Sequence, residues 1–318
     1  MIPQYDTIIV GGGPAGLAAA KHLGFFERHV RVIDRQVSPL QFNSNPIHNY
    51  PGVRASISGQ ALLRQFQGEA KSAGAEILAA KVIDITGHFP GFKILTENLN
   101  RPGDVKTFEA RTVLLAPGVA IMHPPVDHQW QNWLKIASQP RVCYYCVDCE
   151  APLTRGKSVL LISVGSAKQA ILNARLLKKF AREVKIFVPT DGYLPLTDDG
   201  RFALDHSGFS WSSGTIQSVA LIAPGIRQSL VLETGEKLNC QCFFVSTVRL
   251  PRTEFLKSLK IARNDRDAIL TDEQGQTNIE GIWAAGDVRP IARQIAVAVG
   301  TGNYAALMIH RKLAEDEM

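Results

Sequence analysis

The sequence predicts an α/β protein made of two three-layer nucleotide-type domains. Three observations lead there: a strand, turn and helix with glycines at Gly11, Gly13 and Gly16; a second strand, turn and helix from Ser158; and an apolar strand ending in Gly286-Asp287 before a long small-residue helix. At 318 residues, 45% of them apolar, the chain can fill two ordinary cores. Its 35 Lys and Arg against 29 Asp and Glu give a net charge of +6. The charge forms no block and is not interleaved with aromatic residues, which argues against nucleic-acid binding and leaves room for an acidic protein partner. No run of eighteen apolar residues occurs, and the chain starts almost directly in a strand. Neither a membrane anchor nor a secretory signal is therefore expected.

Tyr5 to Val10 is the first strand, and it runs into Gly11-Gly12-Gly13-Pro14-Ala15-Gly16. Leu17 to Leu23 has helical composition, and Val30 to Ile33 forms a second strand ending at Asp34, with Arg35 after it. The first glycine permits the turn, the second admits a pyrophosphate, and the third lets helix and strand pack closely. The carboxylate about twenty residues on can bind a ribose hydroxyl, which makes this a Rossmann-like dinucleotide site. From Ser38 to Gly59 the prolines and asparagines predict a loop covering a ligand, with His48-Asn49-Tyr50-Pro51-Gly52 inside it. Residues 59–74 are helical, 76–84, 92–97 and 106–110 alternate as short antiparallel strands, and 111–116 reads as a separate buried strand. Pro117-Gly118 suits a domain boundary, and His123-Pro124-Pro125 a linker.

Three of the five cysteines fall in Cys143-Tyr144-Tyr145-Cys146-Val147-Asp148-Cys149-Glu150, giving two overlapping CxxC pairs. Such a dithiol cycles between thiol and disulfide when one sulfur has a depressed pKa and the other resolves it. A zinc half-site and inert thiols are the competing readings; the first wants four ligands, so no metal is expected. Close cysteine spacing fits a reducing cytoplasmic compartment better than a secreted framework. Ser158 to Ile162, Ala167 to Phe180 and Val184 to Val188 form the second βαβ unit. Its turn, Ser163-Val164-Gly165-Ser166-Ala167-Lys168, keeps only the middle glycine and marks a possible second nucleotide site at Gly165, Ser166, Ala167 and Lys168. No basic cluster follows in Val188-Pro189-Thr190-Asp191-Gly192. Residues 204–217 onward read as short strands, with Cys240 and Cys242 packing from one strand face. Ile282 to Asp287 is a strand followed by a helix from Arg293 to Leu313, whose start offers free N–H groups to a ring edge.

Taken together, Gly11 to Gly16, His48 to Gly52, Cys146 to Glu150, Thr271-Asp272 and Gly286-Asp287-Val288-Arg289 through Arg293-Gln294 resemble the low-molecular-weight flavoprotein thioredoxin reductases over nearly the whole chain. The resemblance implies an FAD-binding domain split between 1–117 and 244–318, an inserted NADPH-domain-like domain at 118–243 carrying the dithiol, and a homodimer. It implies FAD held by Gly11, Gly13, Pro14, Ala15, Gly16, Asp34, Arg35, Asn49, Gly286, Asp287, Arg293, Gln294 and Ile295. It also implies Cys146 as the attacking thiol, Cys149 as the sulfur nearer the flavin, and Glu150 as the proton carrier in place of the usual aspartate; Cys143 is extra. The degraded second glycine pattern resembles the cyanobacterial-type branch that does not use NADPH. The expectation is therefore an FAD-dependent disulfide oxidoreductase taking electrons from ferredoxin, or through a second FAD in the inserted domain, and passing them to a thioredoxin-like dithiol protein. A conventional NADPH-dependent thioredoxin reductase and a non-enzymatic flavin-binding redox sensor are the alternatives.

Overall fold

The computed structural model describes residues 4–54, 56–223 and 226–318. In chain order the first stretch gives β1 (Tyr5–Val10), α1 (Pro14–Phe25), β2 (Val30–Asp34), α2 (Gly59–Ser72), β3 (Glu76–His88), β4 (Gly91–Asn98), β5 (Val105–Leu115) and β6 (Val119–Ile121). Then follow α3 (Trp130–Ala137), β7 (Cys143–Tyr144), α4 (Val147–Glu150), β8 (Ser158–Ser163), α5 (Ala167–Lys178), β9 (Glu183–Pro189) and α6 (Asp198–Asp205). The remainder is β10 (Trp211–Gly214), β11 (Ile216–Ala223), β12 (Arg227–Leu232), β13 (Lys237–Cys240), β14 (Cys242–Ser246), β15 (Arg249–Pro251), β16 (Ile282–Ala284) and α7 (Ile295–Asp316). Two compact units result: one comprises the chain through Gln41, Tyr50–Ala120 and Leu250–Met318, the other Phe42–Asn49 and Ile121–Arg249.

In the first unit β3, β2, β1, β5 and β16 form a parallel sheet. Strand β4 pairs antiparallel with the far half of β3 and the near half of β5. The two strands expected at 106–110 and 111–116 are one continuous strand, because β5 changes partner at Ala110 from β4 to β1 without breaking. Apolar side chains flanking that junction, Phe92, Ile94, Val113 and Leu115, are fully buried in one core. At the centre the Thr7 and Thr112 hydroxyls bond each other at 2.9 Å, and Thr112 also donates to the Asp6 carbonyl, so two buried polar side chains are satisfied locally.

The second unit has a five-stranded parallel sheet in the order β10-β9-β8-β14-β7 and a three-stranded antiparallel sheet, β11-β12-β13. The segment expected to begin a run of short strands at Leu204 instead starts as the end of α6. Thr197 caps that helix by accepting from the Gly200 N–H at 3.1 Å, and Asp198 and Asp199 complement its dipole in the first turn. Cys240 and Cys242 do not share a strand face: Cys240 ends β13, Cys242 begins β14, and they pack into different cores. Both nonetheless are buried packing residues. Of the two tryptophans in α3, Trp133 is fully buried and Trp130 half-exposed. Among the described residues no helix is long and apolar enough to cross a membrane.

The crossing of α1 and α7 depends on Gly302, where an added Cβ would lie 2.1 Å from the Ala15 carbonyl oxygen. Gly302→Ala must push the two backbones apart, and is expected to cost about 1–3 kcal/mol, read as a lower Tm in thermal unfolding.

Candidate active site

The loop after β1 is shaped by backbone contact. An added Cβ at Gly11, whose φ is +110°, would fall 2.2 Å from the Ala116 carbonyl oxygen, and one at Gly16 would fall 2.0 Å from the Gly11 carbonyl oxygen. Only glycine lets the turn lie against β5 and lets α1 start beneath it. Gly13 differs: its Cβ would meet nothing nearer than the Ser38 hydroxyl at 3.9 Å. It is open on the side where a ligand would approach, and it caps α1 without any side-chain bond. The first N–H groups of a twelve-residue helix therefore face the cleft.

That cleft is lined by Gly11, Gly13, Pro14, Ala15, Asp34, Arg35, Gly286, Asp287, Arg293, Gln294 and Ile295, all from the first unit. A second helix start opens on it, since α7 is preceded by Gln294 with no side-chain cap. Asp34 ends β2 and accepts the Gln36 N–H at 3.0 Å, which holds its carboxylate at the strand tip. Two anion-favouring helix starts, a loop open at Gly13 and an acid at the strand tip match the phosphates and ribose of a dinucleotide, so the residues present fit FAD. Gly16 is buried in packing and serves the loop rather than the cleft surface. Asn49 lies in the Phe42–Asn49 segment that groups with the second unit. The cleft also includes Ser38, Lys81, Val82, Arg252 and Glu254, which no motif marks in the sequence. Arg252 donates to the Val119 carbonyl at 2.6 Å; burial holds its guanidinium below its usual pKa.

In the second unit Cys146 and Cys149 are joined as a disulfide with Cα atoms 5.2 Å apart. Cys143, Cys240 and Cys242 are free thiols and buried. Cys146 precedes α4, so Cys149 and Glu150 sit one turn on, and their N–H groups return to the Cys146 carbonyl at 3.1 and 2.8 Å. Glu150 folds back: its Oε2 accepts the Tyr145 N–H at 2.8 Å and the Cys146 N–H at 3.0 Å. Desolvation pushes the Glu150 carboxyl above the usual range; those two N–H bonds, the nearby Arg249 charge and Asn45 pull against it. A raised carboxyl beside a dithiol can hold and release a proton nearer neutrality than an ordinary glutamate. Arg249 donates to the Tyr145 carbonyl at 3.0 Å, and Asn45 bonds both the Cys143 carbonyl at 3.0 Å and the Arg141 N–H at 2.7 Å. Asn45, Tyr145 and Arg249 thus belong to the setting of the disulfide, and only Tyr145 adjoins the motif in sequence.

The turn after β8 retains the strand, turn and helix form. Ser166 caps α5 by accepting from Gln169 N–H at 3.3 Å, Ala167 is buried, and Lys168 is exposed in the first turn. A Cβ at Gly165 would make only an ordinary contact, 3.5 Å from a Val248 methyl.

The pyridine nucleotide-disulphide oxidoreductase family model matches residues 5–302. A thioredoxin reductase of Peptoclostridium acidaminophilum is 28% identical over 318 residues, covering 95% of each chain. Among solved structures, the thioredoxin reductase from Streptococcus pyogenes MGAS5005 superimposes with a TM-score of 0.75 at 25% identity, over 98% of both chains. The Lactococcus lactis thioredoxin reductase gives 0.61 at 26% identity, over 98% of this chain and all of its own. These matches correct the expected membership of a ferredoxin-dependent or diflavin branch. The match runs through both units, and the substitutions at Ser163 and Lys168 leave the second βαβ unit intact rather than marking a change of electron donor. With the Rossmann-like cleft, the FAD-compatible loop and the Cys146–Cys149 disulfide, the chain belongs to the pyridine nucleotide-disulphide oxidoreductase family and is a flavin-dependent disulfide oxidoreductase.

Proposed function

We propose that this chain is an NADPH-linked thioredoxin reductase that works as a homodimer on a thioredoxin-like protein. The observation that carries the reading is the Cys146–Cys149 disulfide with Glu150 folded over the N–H of Cys146. Likeness to thioredoxin reductases through both units supports the electron donor and the partner.

FAD bound in the first unit would relay two electrons from the nicotinamide to the disulfide. Gly11, Gly13, Pro14 and Ala15 would receive its pyrophosphate, with Gly16 shaping the loop beneath them; Asp34 and Arg35 would hold its adenosine ribose, and Gly286, Asp287, Arg293, Gln294 and Ile295 its flavin end. NADPH would approach the α5 start at Gly165, Ser166, Ala167 and Lys168. From Ile186 to Gly200 the chain has no Lys or Arg, so that binding rests on the turn and helix start. NADPH delivers two electrons and one proton, solvent a second proton, and the disulfide becomes two thiols. Glu150 takes the Cys146 proton as that sulfur attacks the substrate disulfide, and gives it to the departing substrate sulfur. Cys149 then attacks Cys146 in the mixed disulfide, releases the second substrate thiol, and restores the Cys146–Cys149 bond.

Anaerobic titration of the flavin-loaded protein tests the donor: NADPH is expected to bleach the flavin, and a flavin left oxidised by excess NADPH would sink the reading. Cys146→Ser should retain that bleaching but abolish turnover of a protein disulfide. Glu150→Gln keeps an acceptor for the two N–H groups while losing the titratable proton, and is expected to lower turnover about 100-fold with flavin reduction preserved. Gly13→Val fits the unliganded loop, so its far-ultraviolet circular dichroism should match the parent while flavin released on denaturation falls sharply.

A further inference from the structure

Tyr145 lies between the extra cysteine and the redox pair, and its side chain is tied at several points. Trp133 Nε1 donates to the Tyr145 hydroxyl at 2.8 Å, and His123 Nδ1 lies 2.8 Å from the same oxygen. An indole N–H can only donate, so the tyrosine oxygen accepts from Trp133, and it donates to His123 when that ring carries its own hydrogen on Nε2. Burial holds His123 down to about 4, so its ring is neutral near pH 7 and its Nδ1 can accept. The Cys143 thiol lies beside the Tyr145 side chain, with its Sγ 3.9 Å from the Tyr144 carbonyl; burial pushes that thiol well up, which keeps it protonated. Trp133 is fully buried and packs edge-on against Phe243 at 5.4 Å, so the anchor is itself immobile. On the backbone side, the Tyr145 carbonyl is held by Arg249, and the N–H groups of Tyr145 and Cys146, on either side of that residue, both point at Glu150 Oε2.

We propose that Tyr145 is a positioning residue for Glu150: its hydroxyl, braced by Trp133, His123 and Cys143, holds the backbone that presents two N–H donors to the carboxylate. Cys143 belongs to this brace and not to the redox couple. The inference rests on the exchange role given to Glu150 above. A serine or alanine at 145 could present the same two N–H groups, but without a side chain anchored in the core the peptide would be free to rotate. The groups facing Glu150 are Arg249 and Asn45, together with the Cys143 thiol and the Tyr144 and Tyr145 phenols. Arg249 and the two N–H groups favour the carboxylate, so loosening the N–H groups moves its titration upward.

The test uses flavin-loaded protein reduced with dithionite, freed of excess reductant, and mixed with 5,5′-dithiobis(2-nitrobenzoate) across a pH series. This assay needs no nicotinamide nucleotide, so failure of the NADPH assignment and failure of the brace are read separately. In Tyr145→Phe the exchange rate at pH 7 is expected to fall about tenfold, and the acid limb of its pH profile to move up by about one unit. Trp133→Phe and His123→Gln should move it the same way by less, which keeps the test intact if Tyr145→Phe does not fold. Cys143→Ala should still exchange, whereas Cys146→Ser should not. An unmoved acid limb in all three brace variants, even with a lower Tm, would overturn the proposal. So would a Cys143→Ala protein as inactive as Cys146→Ser.

Discussion

Backbone lying directly on backbone at the start of α1 is the constraint on which the first unit depends. The Gly11 Cα faces the Ala116 carbonyl, Gly16 faces that of Gly11, and Gly302 faces that of Ala15. These contacts join β1, β5, α1 and α7 through residues as far as 287 positions apart. None tolerates a Cβ without movement of backbone, so the cleft is a consequence of close approach, not of a cavity left between side chains. Gly13 is the exception that gives the others their purpose. It alone of the three motif glycines has space where a side chain would go, and that space opens towards the cleft.

The second unit solves its local electrostatics by a different route. At α5 the cap is a side chain, Ser166, and the glycine at 165 is not demanded by packing. At the disulfide the polar groups are oriented by long-range hydrogen bonds: Asn45 reaches the Cys143 carbonyl across 98 residues of sequence, and Arg249 the Tyr145 carbonyl across 104. A glutamate is one methylene longer than an aspartate. At position 150 that length lets the side chain turn back over α4 and accept from the N–H groups of Tyr145 and Cys146 together. Its charged form is opposed by desolvation and supported by these bonds, and the balance leaves the carboxyl raised.

Much of this was legible in the sequence because it rests on local rules. The span of β1, the acid at the tip of β2, the starts of α2 and β8 and the glycine motif follow from periodicity and turn chemistry. The continuous β5 was not legible, since a strand that exchanges an antiparallel partner for a parallel one shows two patterns in succession. Nor was α6, whose Thr197 cap and paired aspartates sit in a stretch that otherwise reads as turn. Asn45, Arg249 and Arg252 gave no signal, because their roles arise from contacts distant in sequence. The choice of electron donor went astray for a related reason. Ser163 and Lys168 break the glycine pattern, yet Ser163 ends a buried strand and Lys168 points outward from the first turn of α5, so the pattern can change while the unit persists.

Five cysteines in one chain pose a problem of selectivity, and burial resolves it. Exchange requires a thiolate that another sulfur can reach. Cys143, Cys240 and Cys242 are buried at 4% exposure or less, and desolvation raises all three thiols, Cys242 to about 12. At pH 7 a thiol of that pKa is ionised on the order of one part in 10⁵. Cys146 and Cys149 are only half-buried, and α4 begins between them. The same motif therefore contains one cysteine kept as a neutral packing and hydrogen-bonding group and two left within reach of another disulfide. Sequence spacing makes Cys143 and Cys146 as eligible as Cys146 and Cys149; the end of β7 separates them, placing Cys143 in the sheet and the other two beyond it.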